Sequence, residues 1–345
     1  MRYSVIVPVF NRPDEVDELL ESLCSQTLKD FEVIIVEDGS QKPCKDVCDK
    51  YASILDLHYY YKENSGPGQS RNYGVERAQG EYVLILDSDV VLPTGYIQAV
   101  DTLLTAQPTA AFGGPDASHP SFTPVQKAIS YSMTSFFTTG GIRGGKKKLD
   151  KFYPRSFNMG IRRDIYLQLG GFSKMRFGED IDFSYRIVEA GYQPLLFPDA
   201  WVWHKRRTDF RKFFRQVYNS GIARINLEKR HPGTMKLVHL LPTVFTVGVI
   251  GLVLVSAVGR VLMHYDDVHR WYWLCVCPWL PIILYSLIIL IDSTLRNKSL
   301  KVGLLSIPAA FVQLMGYGLG FIESWWKRCV QGKDEFQAFE KNFYQ

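Results

Sequence analysis

Cysteine is sparse in this 345-residue sequence, with six residues and no Cys-x-x-Cys spacing. A zinc ribbon or a thioredoxin-type redox pair is therefore excluded, and Cys24, Cys44, Cys48, Cys275, Cys277 and Cys329 read as reduced structural thiols. No Gly-Lys-Ser/Thr closes the glycine-rich stretch 64–72, which excludes a P-loop. Net charge is only +5 and no nucleic-acid-binding module is present, so nucleic acid is not expected as a partner. Two stretches, Trp271–Ile291 and Gly303–Ile322, hold no charge at all. With Leu237–Val258 they make three apolar runs of about 20 residues, the length an α-helix needs to cross a bilayer. A soluble core has little need of three such runs in succession. Few spans without internal charge also exclude a transporter. Met1 runs directly into the strand-like Tyr-Ser-Val-Ile-Val-Pro-Val, so no signal peptide is expected and the part ahead of the first apolar run should stay in the cytoplasm.

Acids are scarce just before the first run. Between His204 and Lys236, ten Lys and Arg residues (Lys205, Arg206, Arg207, Arg211, Lys212, Arg215, Arg224, Lys229, Arg230, Lys236) face only Asp209 and Glu228. That excess favours the cytoplasmic face of an inner membrane and its anionic headgroups. Phe210, Phe213, Phe214, Val217 and Ile222 are interleaved with the charges, and residues 209–236 read as a basic amphipathic interfacial helix. The expected order is a soluble domain over 1–208, this helix, a multi-pass membrane region of about three helices over 237–322, and a tail over 323–345. Arg260, Asp266, Asp267 and Arg270 in the first loop and Arg296, Lys298 and Lys301 in the second give a weak out-then-in bias. Three full crossings would put the tail on the far side, yet Lys327 and Arg328 follow the last run at once. A re-entrant or interfacial segment would remove that conflict, and Pro242, Pro278, Pro281 and Pro308 allow broken helices. Gly316 and Gly320 form a Gly-x-x-x-Gly pair suited to a helix contact.

The soluble part reads as alternating elements: strands at 3–8, 31–37, 57–61, 82–86 and 193–197, with helices at 14–26, 69–78, 94–105 and 181–189. Such alternation implies an α/β fold with a mainly parallel sheet, covered on both faces and binding ligands at its strand ends. The first strand ends in Pro-Val-Phe-Asn-Arg and the second in Val-Glu-Asp-Gly-Ser, which brings Asn11, Asp38 and Ser40 to one rim. A carboxylate there can accept the imide hydrogen of a base. In the glycine-rich stretch, Gly66 and Gly68 permit close backbone approach and Arg71 falls on the first turn of a helix, a place suited to an anion. Asp87 and Asp89 follow an apolar strand at a spacing that lets both face one divalent cation. Gly178-Glu-Asp and Trp203-His204 complete the set, although the aspartate reads equally well as a helix cap. Residues 143–155, with Gly140, Gly141, Gly144, Gly145 and Lys146–Lys148 around them, read as a basic loop that can close over a diphosphate.

Taken in order, Ser-Val-Ile-Val-Pro-Val-Phe-Asn, Val-Glu-Asp-Gly-Ser, Gly-Pro-Gly-Gln-Ser-Arg-Asn-Tyr-Gly, Gly-Glu-Tyr-Val-Leu-Ile-Leu-Asp-Ser-Asp, Phe-Asn-Met-Gly-Ile-Arg-Arg and Gly-Gly-Phe-Ser-Lys-Met-Arg-Phe-Gly-Glu-Asp-Ile-Asp-Phe resemble family 2 glycosyltransferases over residues 1 to about 230. The resemblance implies the A-type, Rossmann-like nucleotide-sugar fold. It also implies that Pro8, Asn11, Asp38, Arg71 and Asp87 border a UDP- or GDP-sugar, and that Asp87 and Asp89 hold Mg or Mn with His204 closing the metal site. Glu179-Asp180 matches the acidic pair on the acceptor side, with Asp180 as base; Asp182 ranks lower. The Gln-x-x-Arg-Trp of processive members is absent from the comparable stretch 215–224, so one sugar per encounter is expected. The expected chemistry is an inverting single displacement onto a lipid-linked acceptor, either a polyprenyl-diphosphate saccharide in cell-surface glycan assembly or a polyprenyl phosphate. A non-catalytic scaffold built on the same fold is the contrasting expectation, which the intact acids oppose.

Overall fold

The computed structural model describes residues 1–117, 119, 121–139, 152–175, 177–265, 268–336 and 338. The glycine- and lysine-rich part of the anticipated basic loop, 140–151, lies outside the described residues, as do Asp266 and Asp267. The chain divides into two compact units.

The first unit carries the alternating elements: β1 (Tyr3–Val9), α1 (Pro13–Cys24), β2 (Phe31–Asp38), α2 (Lys45–Tyr51), β3 (Asp56–Lys62), α3 (Pro67–Arg77), β4 (Tyr82–Leu86), β5 (Val90–Val91), α4 (Tyr96–Ala106), β6 (Ala111–Gly113) and β7 (Asp116–Ala117). The chain then passes into the second unit for α5 (Pro124–Thr134) and α6 (Phe136–Thr139) and returns for β8 (Asn158–Arg162), α7 (Arg163–Gln168), α8 (Glu179–Glu189), β9 (Leu195–Leu196) and β10 (Val202–His204). The main sheet has the order β3-β2-β1-β4-β8-β6-β9. Its first four strands are parallel, β8 runs antiparallel between β4 and β6, and β9 pairs parallel with β6. Every residue of β1, β2 and β4 is buried, as a sheet covered on both faces requires. Alternate residues serve opposite layers: Val5, Val7, Val33 and Ile35 pack with α1 and α4, while Ile6, Ile34 and Val36 pack with α3, α7 and α8. All five anticipated strands are present, the last shortened to Leu195–Leu196; β6 and β8 of the main sheet were not anticipated.

A second sheet, β5-β10-β7, is small. Antiparallel pairing sets His204 opposite Val90, and the Lys205 N–H donates to the Asp89 carbonyl at 3.1 Å. This short ladder carries the end of β10 to the end of β4.

The second unit adds α9 (Phe210–Arg230), α10 (Leu241–Tyr265), α11 (Val268–Val276), α12 (Trp279–Asn297) and α13 (Leu300–Trp325), which ends in a π-turn over Trp326–Val330. Among the described residues, three stretches are helical and, by length and composition, apolar enough to cross a membrane: Leu237–Tyr265, Trp271–Asn297 and Leu300–Val330. Helix α9 lies along α13. A Cβ on Gly316 would stand 2.6 Å from Val217 Cγ2, one on Gly320 2.0 Å from the Tyr218 carbonyl, and one on Gly221 2.1 Å from the Tyr317 carbonyl. The Gly316/Gly320 pair is thus a helix contact, and its partner is the basic helix. The chain passes from the first unit to the second at 205–206, and α5 and α6 group with the later helices.

Candidate active site

Four loops of the first unit converge beyond the ends of β1, β2 and β4. Asp87 and Asp89 emerge from β4, and one ligand atom each from Asp87, Asp89 and His204 all lie within 4.8 Å of one another. His204 Nε2 stands 3.3 Å from Asp89 Oδ1; its Nδ1 is buried without a hydrogen-bond partner, and its ring stacks on Phe157 at 4.9 Å. Two carboxylates and one imidazole form a donor set suited to a hard or borderline divalent cation. These residues fit a magnesium or manganese ion.

Each aspartate also has its own arginine. Arg71 sits in α3, which starts after Gly66 at φ +91°, a conformation that glycine tolerates without strain. Its side chain is 4% exposed and joins the two acidic motifs: Nη2 bonds Asp87 Oδ1 at 2.6 Å and Nη1 bonds Glu179 Oε1 at 3.2 Å. Burial works against the Arg71 charge, and Asp87 and Glu179 outweigh it, holding the guanidinium above its ordinary value. Arg12, at the entry to α1, reaches Asp89 Oδ2 at 2.5 Å. Arg12 closes the Pro-Val-Phe-Asn-Arg stretch after the first strand, although no role was assigned to it from sequence.

Helix α8 begins after Gly178, held in the left-handed region, and places Glu179 and Asp180 on its first turn. Glu179 is buried against Arg71, and its carboxyl is pushed up to about 7 by that burial and by the nearby charge of Asp180, with Arg71 opposing. Asp180 is more open. Its Oδ1 accepts the Ile181 N–H at 2.8 Å and its Oδ2 lies 3.4 Å from Arg155 Nη1. The helix-cap reading fails, because Gly178 is the N-cap of α8 and Asp180 is already its second residue. Asp182 is buried and tied to Arg186, which in turn donates to the Leu169 and Gly171 carbonyls. It serves packing.

The nucleotide-side candidates hold the loops together. Asp38 is buried: Oδ1 accepts from Lys62 Nζ at 2.5 Å and from the Ser65 N–H at 2.9 Å, and Oδ2 from the Gly66 N–H at 2.9 Å. The turn into α3 is thereby folded around this carboxylate. Asn11 adopts φ +55°, donates its N–H to Ser40 Oγ and accepts the Gln41 and Lys42 N–H groups on Oδ1. Pro8 is buried in β1. Lys62 and Arg12 are charged neighbours that the sequence did not single out, and Arg155 is the last residue of the anticipated basic loop.

Residues 4–170 match the model of Glycosyl transferase family 2. The chain carries a family 2 glycosyl transferase domain. Glu179, Asp180 and His204 lie beyond the matched residues and are placed beside the motifs by the fold. An uncharacterized glycosyltransferase of Rickettsia felis is 39% identical over 88 residues, 26% of this chain and 15% of that protein. The pre-mycofactocin glycosyltransferase of Mycobacterium tuberculosis is 26% identical over 250 residues, 66% of this chain and 48% of its own length. The stretches matched therefore span less than half of either relative. Among solved structures, the mannosyltransferase of Pyrobaculum calidifontis, in complex with GDP-Man and Mn2+, superimposes with a TM-score of 0.57 at 16% identity, covering 95% of this chain and 88% of that one. The fold is A-type, with a mostly parallel sheet followed by helices able to span a membrane.

Proposed function

We propose that this protein is an inverting, metal-dependent glycosyltransferase that moves one sugar from a nucleotide sugar to a membrane-associated acceptor, a polyprenyl-diphosphate-linked saccharide in cell-surface glycan assembly. The observation that carries the proposal is the meeting of Asp87, Asp89 and His204 with Arg71 and the Glu179-Asp180 pair. A magnesium or manganese ion held by Asp87, Asp89 and His204 would supply positive charge against the departing diphosphate. GDP-Man and Mn2+ in the Pyrobaculum mannosyltransferase support that donor class.

Arg71 binds and orients the donor from α3, whose N-terminus favours an anion. Arg155 and the Ile181 N–H hold Asp180 in place. Asp180 takes the proton of the acceptor hydroxyl as that oxygen forms its bond to the anomeric carbon. The bond from that carbon to the diphosphate oxygen breaks on the opposite face, and its electron pair leaves with the nucleoside diphosphate. Glu179, engaged with Arg71, positions and does not abstract. The three apolar stretches and the basic α9 support an acceptor embedded in the inner membrane, with the catalytic unit on the cytoplasmic side.

The test is transfer of label from a panel of nucleotide sugars into the organic-solvent phase by membranes containing the protein, with Mn2+ or chelator. Metal-dependent labelling is expected, lost in Asp180→Asn while nucleotide binding persists. Undiminished turnover in that variant would remove Asp180 as the base. No labelled lipid with any donor, despite added polyprenyl lipids, would overturn the acceptor class.

A further inference from the structure

We infer that α13, although long and apolar enough to span, lies in the plane of the bilayer surface, and that the chain crosses as one hairpin of α10 and α11–α12. The argument uses the second unit alone. Helices α5 and α9 are not spans: α5 has 11 residues, and α9 carries Arg211, Lys212, Arg215, Arg224, Glu228, Lys229 and Arg230. A charged helix of that kind is expensive in hydrocarbon. The two pack together through Ile129, Met133, Phe213 and Val217, and Gln126 Nε2 donates to the Arg206 carbonyl at 3.0 Å, so they share one side of the membrane.

Together they border α13 and its terminal turn from end to end. Ala128 of α5 packs with Val302 and Ala309 near the start. Farther along, Val217 meets Gly316, Tyr218 meets Gly320, the Ile222 carbonyl accepts from Ser324 Oγ at 3.2 Å, and Asn226 Oδ1 accepts from Arg328 Nη1 at 3.0 Å. From 302 to 328 a helix covers about 39 Å, more than the roughly 30 Å hydrocarbon core. A helix crossing that core would leave one end beyond the reach of non-spanning partners; both ends of α13 have them.

The tail agrees. The Phe336 carbonyl accepts from Asn226 Nδ2, the Ala338 N–H donates to Asn219 Oδ1, and Glu335 pairs with Arg230 at 2.8 Å, so the residues after α13 run back over α9. The other two apolar stretches contrast with α13. Of its most apolar window 44% is buried, against 6% for Leu237–Tyr265 and 11% for Trp271–Asn297. Helix α10 touches α13 with its first turns, where Thr246 Oγ1 bonds the Leu314 carbonyl and Phe245 meets Phe311. Beyond Thr246 its one buried residue is Gly259, which faces Leu274 of α11. Helix α12 returns to α13 and α5 from Tyr285 onward, where Tyr285 meets Phe311, Ile289 packs with Ala310 and Tyr131, Ser293 bonds Ser306 and Asp292 bonds Tyr131. The hairpin therefore begins and ends at the α5–α9–α13 platform. Two crossings set Lys327 and Arg328 on the same side as the basic α9, which removes the charge conflict that three crossings create.

The test uses sealed vesicles and a membrane-impermeant maleimide, read by peptide mass spectrometry. Native Cys329, exposed after α13, reports the end of that helix in the wild-type protein. Lys212→Cys marks α9 and Tyr265→Cys the far end of α10, both at exposed positions. Cys329 is expected to label from the same side as Lys212→Cys, with Tyr265→Cys protected until the vesicles are opened, or all three reversed together in inverted vesicles. Cys329 labelling together with Tyr265→Cys, opposite Lys212→Cys, would overturn the inference. Cys329 is read in every sample, so a variant that fails to fold is replaced by a neighbouring marker, Arg211→Cys or His264→Cys, without loss of the comparison. The outcome is independent of whether any sugar is transferred.

Discussion

The two units solve opposite packing problems with opposite residues. In the first, large apolar side chains are buried on both faces of the sheet and charge is brought inside in matched pairs, Arg71 between Asp87 and Glu179, Arg12 on Asp89, Lys62 on Asp38. In the second, the close contacts are made by Gly221, Gly316, Gly318 and Gly320 and by serines such as Ser293 and Ser306, while Val247, Leu254, Val258, Leu284 and Ile291 face outward. Water drives the first arrangement by the hydrophobic effect. Lipid, which three stretches of the second unit are apolar enough to enter, would supply no such drive between helices, and close backbone approach and hydrogen bonds would take its place.

The sharpest way to break the first arrangement is through its chemistry. Asp180→Asn removes the proposed base and leaves Ile181 and Arg155 with an isosteric partner; a loss of about 10²–10⁴ in kcat is expected from the general-base contribution. Steady-state kinetics with the donor identified by label transfer measure it. An effect below tenfold would shift the acceptor toward a lipid phosphate, whose oxygen is already ionised.

Removing the hub of the charge pairs comes next. Arg71→Ala leaves Glu179 buried without its cation and Asp87 without its partner, and truncating one member of a buried pair costs about 3–5 kcal/mol. Thermal unfolding of the detergent-solubilised protein is the readout. A Tm within a degree of wild type would mean that the acids find other partners and that Arg71 organises nothing. Arg12→Ala is expected to be milder because Arg12 is more exposed, at 32% against 4%.

The second arrangement breaks by the addition of atoms. Gly320→Leu forces a side chain onto the Tyr218 backbone, where a Cβ alone would be 2.0 Å from the carbonyl oxygen; overpacking of this kind costs about 1–3 kcal/mol. Gly251→Leu, on α10 with nothing within 4 Å of its Cβ, should leave the unfolding temperature unchanged. Equal losses at both positions would contradict the division of α13 and α10 into packed and outward-facing helices.

Much of this comparison was legible in the sequence, for identifiable reasons. The apolar run Tyr82–Leu86 announced its strand, and the chemistry of Asp87 and Asp89 followed from where it stops. The glycine pair in α13 announced a contact. Other features depended on partners distant in sequence. Strand β8 reads Asn-Met-Gly-Ile-Arg, too mixed to signal itself, and Gly160 is needed because the Phe112 ring occupies the place of a Cβ, 2.0 Å from its Cζ. Arg12 is one arginine in a loop until β4 brings Asp89 to it. Asp38, selected as a base-recognising carboxylate, also accepts from Lys62, Ser65 and Gly66, and only the folded loop reveals that.

The mildest perturbation tests whether buried charge in the first unit is held under strain. Glu179 has its carboxyl raised from 4.5 to about 7, chiefly by burial and next by Asp180, with Arg71 opposing. The folded state thus holds this proton more tightly than the unfolded chain. Its contribution to stability is fully present below about pH 4.5 and is lost as pH rises through about 7. Glu179→Gln keeps the shape and the contact to Arg71 but removes the titration, so the difference in Tm between variant and wild type should shift in favour of the variant from pH 5 to pH 8. Comparison of the two proteins cancels groups common to both. Parallel Tm profiles across that range would show that Arg71 neutralises the carboxylate fully, and the pairing of charges in the first unit would then be free of the strain that burial otherwise imposes.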